Sequence, residues 1–490
     1  MNNAGNNTGL KVMRKIFIVF IILANMTMAY EQDLFRHTNF FKDQYLRNYV
    51  EYNLYDLSQN PAFFHAAYPS NYNLFRIFGN KNNNGHHRRF DPERTENLGL
   101  DLLWIRYLSQ KSIIASGVEY YDSYHMNVYH SLEKDFYNNY FSYSDTTEGD
   151  IDYNGPKLWF LYHHNMTDNI SLGLQLNYGV ERGLKDIYTE CQTISRDMDV
   201  TAGLSIQSDS KLSRAGVAYR YFNRQSKYEA VKKYVSAMTR TWYGFHLFME
   251  ENPRSLSRKN SDREGYEIII SAEQIQLAGT DFGYRVSGSF GQHKNNIKVG
   301  AVKDLHQRAY WQREGWDVKS NLFYINELLN IQAYYTYRSF SDWGEPKGYD
   351  VLSLEKDEME SRFGALSKVK LGSLIESFAG FEISKVNIEY EEYTAGFTYD
   401  DELKSNNYIF GSNFNLNSVS TIYLSGNAGN YETDFLWPEA GSFDFRGVKL
   451  GYSKQFVLGK IDLGLNYTVF NPVDIDRQNE EFGIELFFIR

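Results

Sequence analysis

The chain has 490 residues, a formal net charge of −10, one Cys, 8 Pro and an aromatic content of 17%, led by Tyr (40) and Phe (34). A single Cys excludes an intramolecular disulfide framework and a multi-thiolate metal site, and the acidic balance argues against nucleic acid as a partner. Aromatics fit pleated surfaces and Pro cannot donate to a ladder, so this composition suits extended strands. A mean hydropathy of −0.52 beside 42% hydrophobic residues is the mixture expected when half of every strand faces lipid and half faces water.

In chain order, residues 13–29 begin with Met13-Arg14-Lys15, continue through an apolar run over 16–24 and end in small residues at Thr27 and Ala29. A basic start, a short apolar core and small residues at the end predict a secretory signal peptide over 1–29, with Met13 as an alternative start. Its removal takes Lys11, Arg14 and Lys15 and no acids, so the charge becomes −13. The apolar run is shorter than the ~20 residues of a spanning helix, and no Cys follows it to carry a lipid. No later run offers the ~18 apolar residues that a helical membrane protein requires.

Residues 30–94 alternate poorly and are assigned to an N-terminal plug or periplasmic segment. Asn60-Pro61-Ala62 stands out in it, because Asn caps a helix start and Pro suits the first helical position. Gly85-His86-His87-Arg88-Arg89 reads as a solvated periplasmic or luminal loop, since a metal site needs further ligands at compatible geometry.

From 95 to 490 the dominant signal has period 2. Ile170, Leu172, Leu174, Leu176 and Tyr178 interleave with Ser171, Gly173, Gln175 and Asn177. Met198, Val200, Ala202, Leu204 and Ile206 do the same, as do Ile461, Leu463, Leu465, Tyr467 and Val469. Alternate strand residues point to opposite faces, so each segment has one apolar and one polar or small face. The clear runs are ~9–11 residues, enough for a tilted strand to cross a bilayer. Several carry an aromatic where an interfacial girdle falls, among them Trp104, Tyr178, Tyr452 and Tyr467. Short connections at 109–111, 167–169, 208–210, 326–327, 417–418 and 458–460 alternate with long polar ones, the asymmetry of a membrane barrel. The expected fold is all-β: a transmembrane antiparallel up-and-down β-barrel. Closure requires an even count of about 14, 16 or 18 strands, and the hairpins counted give about 14–16.

The last strand carries Phe482, Ile484, Leu486 and Phe488 on one face. It resembles the C-terminal assembly signal of outer-membrane proteins, although Ile489 and Arg490 follow the final aromatic. That resemblance implies the outer membrane of a Gram-negative cell, with its lipid and its barrel-assembly machinery as partners. Asn60-Pro61-Ala62 is similar to an element of fatty-acid-transporter-type barrels, whose N-terminal hatch plugs the lumen, and to one in small barrels of a secretion and gliding apparatus. The transporter resemblance implies passive uptake of a small solute, apolar ones included.

Two other readings compete: a structural or partner-docking barrel, and a lipid-modifying enzyme. His163-His164-Asn165 and the acidic pairs Glu391-Glu392 and Asp400-Asp401 have no spacing that marks a nucleophile with its base. No catalytic, cofactor or metal site is therefore expected.

Overall fold

A computed structural model of the chain describes residues 54–67, 71–84 and, apart from short stretches in the connections between strands, 90–489. The expected signal peptide at 1–29 and the loop at 85–89 lie outside the described residues.

The strands follow one another in the order β1 (Tyr72–Asn84), β2 (Arg94–Ser109), β3 (Ser112–Ser131), β4 (Tyr143–Asn165), β5 (Ile170–Lys185), β6 (Cys191–Gln207) and β7 (Ser213–Ala230). A short hairpin comes next, β8 (Thr239–Trp242) and β9 (Phe248–Glu251), and then β10 (Ser257–Gln274), β11 (Phe282–Ala301), β12 (Asp304–Ile325) and β13 (Leu329–Pro346). The last seven are β14 (Leu354–Leu371), β15 (Ile375–Glu392), β16 (Phe397–Asn417), β17 (Ser420–Glu432), β18 (Phe443–Phe456), β19 (Gly459–Pro472) and β20 (Asn479–Ile489).

Each strand pairs antiparallel with its neighbours in sequence, except that β7 passes over the hairpin to pair with β10. β1 pairs with both β2 and β20, which closes an 18-strand barrel. Closure leaves no unpaired edge, the condition for spanning a bilayer with strands.

The count exceeds the expected 14–16, and the reasons are local. β1 lies inside the segment assigned to the plug, so the barrel begins at Tyr72 and not at 95. The hairpins β11–β12 and β14–β15 turn in stretches without clear alternation, the second around Gly372 at φ +71°. Polar stretches without apolar alternation are strand as well: 397–405 belongs to β16 and 257–264 to β10. β4 runs for 23 residues and β12 for 22, about twice the length needed to cross a bilayer. Their far halves keep buried residues on the inner face, among them Tyr143 and Ile151 on β4 and Ala309 and Trp311 on β12, so the ladder continues after the apolar outer alternation stops.

The clear alternation forms the lipid-facing belt. On β5, Ile170, Leu172, Leu174, Leu176 and Tyr178 are exposed on the outer face, while Ser171 and Gln175 are buried on the inner one. Phe482 and Phe488 on β20 are likewise exposed, and Glu481, Glu485 and Phe487 are buried inward. The four apolar residues of the expected assembly signal thus alternate on the lipid side of the closing strand. The rim carrying the tight turns, beside Ile489, is periplasmic by the usual asymmetry of such barrels.

With strands ~4.8 Å apart and tilted, a ring of this size has a backbone diameter of roughly 35 Å. A lumen that wide must be filled by water or by chain.

Candidate functional site

The periplasmic half of the lumen holds α1 (Leu54–Ser58), a 3-10 turn (Pro61–Phe63) and α2 (Phe64–Ala67). Asn60, Pro61 and Ala62 lie within the barrel against the inner wall of β4 to β7, all three buried. Asn60 caps the turn, its Oδ1 accepting from the Ala62 N–H at 3.0 Å, and Pro61 follows at the first position. This is the local structure that Asn-Pro predicts.

The wall is shaped to receive the turn. A Cβ on Gly203 would meet Asn60 Oδ1 at 1.9 Å, one on Gly173 would meet the Pro61 carbonyl carbon at 2.2 Å, and one on Gly216 the Phe63 ring at 2.8 Å. Three adjacent strands thus present bare backbone where the turn presses against them. Ser205 Oγ donates to the Ala62 carbonyl at 3.2 Å, His163 Nδ1 faces the Pro61 carbonyl at 3.3 Å, and the Tyr55 hydroxyl donates to Gln175 at 2.9 Å. Tyr55, Leu57, Phe63 and Phe64 pack with Ile105, Ile113, Ala115 and Leu161 into an apolar cluster.

The outer half is closed by different means. Residues 139–143 fold inward from β4, and β8 pairs with β4 through Tyr143↔Thr241, so the hairpin extends over the lumen. Trp242 Nε1 donates to Ser144 Oγ at 2.9 Å. The tip reaches the outer end of β15, half the ring away from β4. There the buried Glu392 carboxylate accepts from the N–H groups of His246 and Leu247, at 3.3 and 3.2 Å, and from the Tyr390 hydroxyl at 2.9 Å. Gly244 sits at φ +92°, and a Cβ there would strike the Glu392 carboxylate at 2.5 Å.

Two further contacts hold the inward loop. Lys259 on β10 donates to Glu133 and to the Phe141 carbonyl oxygen, with both charges buried. Asp342 on β13 accepts from the Tyr140 hydroxyl and from Nε and Nη2 of Arg313. Burial pushes the Glu133 carboxyl above its ordinary range, against the opposing pull of Lys259. Phe90, Tyr140, Phe141, Tyr143, Trp242, Trp311 and Tyr390 belong to the apolar cluster formed around these contacts.

Between the two caps lies a chamber of about 900 Å³. Trp159 links it to the periplasmic cap through Phe64, at 6.0 Å between rings, and Val386, Ile388 and Tyr431 belong to the outer cluster. Its wall is charged, with Asp101, Glu119, Asp197 and Asp199 from β2, β3 and β6 facing Arg220, Arg224, Arg263, Arg313 and Arg338 from β7 to β13. Among the described residues, no group of three or more His, Cys, Asp or Glu side chains is arranged to hold a metal ion.

His163 and His164 make separate contacts. His163 and Ser171 both meet the Asn165 side chain in the lumen, at 3.0 and 2.7 Å, so Asn165 stands between them. Ser112 Oγ lies 2.9 Å from His164 Nδ1 at the periplasmic rim. Glu392, one of the acidic pair 391–392, is buried and clips the hairpin tip. The glycine cradle and the buried clips were missed from sequence. Inward glycines on consecutive alternating strands were the one available signal.

No family model and no curated protein matches the chain. Among solved structures it is similar to the copper transporter OprC, with TM-score 0.51, 10% identity and coverage of 85% of this chain and 64% of that one. It also matches the siderophore receptor PiuA from Acinetobacter baumannii, at TM-score 0.42 and 7% identity over 86% of this chain and 82% of that one. The ferric citrate transporter FecA in its unliganded form gives 0.42 and 11% over 86% and 79%. These comparisons give no support to the resemblance with fatty-acid-transporter barrels. At such identities the likeness is one of fold, and it agrees with the closed ring and apolar belt: the chain is an outer-membrane β-barrel.

Proposed function

We propose that the chain is a gated conduit for passive passage of a small solute across the outer membrane. The observation that carries this reading is the chamber itself. Parts of the same chain narrow the lumen on either side of it, each held by identifiable polar contacts and an apolar cluster. A purely structural barrel has no need of a charged internal chamber, and no observation of comparable weight favours a docking role. The charged wall supports a polar solute over an apolar one, because an apolar solute would have to desolvate those groups without replacing their hydrogen bonds. The N-terminal segment acts as the plug and Asn60-Pro61-Ala62 as its seat.

The test is solute flux in liposomes for the intact chain and for a form lacking 30–70. Deletion must stop before Tyr72, because removing β1 would open the ring. Flux that rises on deletion supports the reading. A correctly folded barrel with no flux in either form, and none after the outer hairpin and the inward loop 132–143 are also removed, overturns it.

A further inference from the structure

On the outward face of the barrel, above its apolar belt, three pairs of cations each share one glutamate. Lys385 and Lys404 share Glu402 at 2.6 and 2.7 Å, Lys227 and Arg258 share Glu229 at 2.7 and 2.6 Å, and Lys81 and Arg94 share Glu96. Arg182 on β5 and Arg196 on β6 are a pair of another kind. Val180 is the register partner of Arg196 and Ile194 that of Arg182, so the two arginines are diagonal neighbours on one face. Diagonal positions lie ~7–8 Å apart, within reach of long side chains. The face is the lipid-facing one, because Tyr178, Met198, Leu204 and Ile206 share its parity and are exposed. Both arginines are exposed, and among the described residues neither makes a hydrogen bond or an ion pair. The neighbouring carboxylates on this face are engaged or turned away. Glu229 holds its own two cations, Asp262 accepts from Asn223 at 3.1 Å, and Asp152 flanks Arg182 on the side away from Arg196.

Height decides what this pair meets. Ile206, exposed beside the periplasmic turn, is ten residues from Arg196 along β6. At ~3.3 Å per residue and a tilt of ~40° that span covers about 25 Å, the height of the apolar band of an outer-membrane barrel. Tyr178 and Met198, directly opposed, come next below the pair, and Tyr221 on β7 opposes Val200 at the same edge, as an interfacial aromatic girdle does. We propose that Arg182 and Arg196 form a binding site for a phosphate-bearing lipid headgroup of the outer leaflet. Each guanidinium presents paired N–H groups that match two phosphate oxygens. The arginine stems can lie along the wall while their heads reach the headgroup layer. The apolar face running down from them through Met198, Leu176 and Leu174 is exposed to the acyl chains of the same lipid, which is why the occupant is a lipid and not a soluble anion. The site is outside the wall, so it stands apart from what the chamber passes.

The experiment is native mass spectrometry of the full-length barrel in a neutral detergent. The barrel is titrated with diphosphoryl lipid A, with the same lipid stripped of both phosphates, and with inorganic phosphate. Saturable binding of the diphosphoryl lipid is expected, with weaker binding of the stripped lipid and none of inorganic phosphate at the same concentration. Arg182→Gln combined with Arg196→Gln should weaken it about tenfold or more, the scale of lost hydrogen bonds to a charged group. The corresponding double change to Lys, which keeps the charge and loses the paired N–H edge, should fall between. Lys385→Gln combined with Lys404→Gln removes the same charge elsewhere on the outward face and should leave binding unchanged. Heat-modifiable mobility on a gel verifies that each variant is a folded barrel. Equal binding of the two lipids, or an equal loss in both Gln double variants, overturns the assignment. Binding of inorganic phosphate as tight as that of the lipid overturns it as well, since the occupant would then be a soluble anion.

Discussion

The two caps of the chamber are built on opposite physical terms. At the periplasmic side, a turn with a Pro and a capping Asn presses into glycines, and the contact is one of shape: backbone against backbone, a few neutral hydrogen bonds and an apolar cluster. At the outer side, a hairpin reaches across the ring and is tied by carboxylates and cations taken out of water, Glu133 with Lys259, Asp342 with Arg313, and Glu392 with backbone N–H groups. A packed contact yields when volume is added. A buried polar tie yields when one partner is removed, since the other is then left uncompensated. The caps should therefore respond to different perturbations, each without disturbing the other.

The largest effect is expected at Lys259. Lys259→Ala leaves Glu133 buried without its cation, a loss of about 3–5 kcal/mol less whatever protonation of the carboxyl recovers. Hydrogen exchange should accelerate over 139–145 and 239–251 while 54–67 keeps its protection. Equal acceleration in both regions would mean that the caps are coupled.

Next comes Gly203→Val, which drives a side chain into Asn60. Overpacking of this kind costs about 1–3 kcal/mol, and the segment 54–67 should become accessible to protease while the outer hairpin stays protected. An unchanged digestion pattern would show that the cradle does not hold the turn. Glu392→Gln is milder, since an amide oxygen can still accept from His246 and Leu247. A loss of about 1 kcal/mol, read as faster exchange confined to the hairpin tip, is expected, and a shift spread through β8 would contradict the clip.

The smallest effect is that of pH. Because burial raises the Glu133 carboxyl above its ordinary range, the folded cap holds that proton more tightly than the unfolded chain does. Its contribution is fully present below the ordinary value near 4.5 and is lost as pH rises through the raised one. Exchange of 139–145 should quicken over that interval, and Glu133→Gln should flatten the profile. A profile equally steep in that variant would place the titrating group elsewhere.

What was legible in the sequence follows the same division between lipid, water and packed contact. Strands show where one face meets lipid, as in Ile170 to Tyr178, because only there must every second residue be apolar. The outer halves of β4, β10, β12 and β16 were hidden, since no lipid requires an apolar outer face there and the inner face packs polar residues such as Lys259 beside aromatic ones such as Trp311. β1 was hidden as well: it turns Arg76, Phe78 and Asn80 inward, and Gly99 on β2 gives the Phe78 ring its space. Asn60-Pro61 announced a turn because capping is local chemistry. Its seat on Gly173, Gly203 and Gly216 is made by strands distant in sequence. The clips were illegible for the same reason: Glu392 and His246, or Lys259 and Glu133, come together only when the barrel closes.

The most direct test of the closed chamber is single-channel current in planar bilayers, comparing the intact chain with a form that lacks both caps. Residues 30–70 can be removed, and 132–143 and 232–256 can each be replaced by a short turn, because Ser131 and Ser144, like Ala230 and Ser257, are register partners. The intact barrel should be silent or open only briefly, and the doubly deleted barrel should carry a steady ohmic current. Steady conductance in the intact chain, or silence in a folded barrel without its caps, would contradict the account.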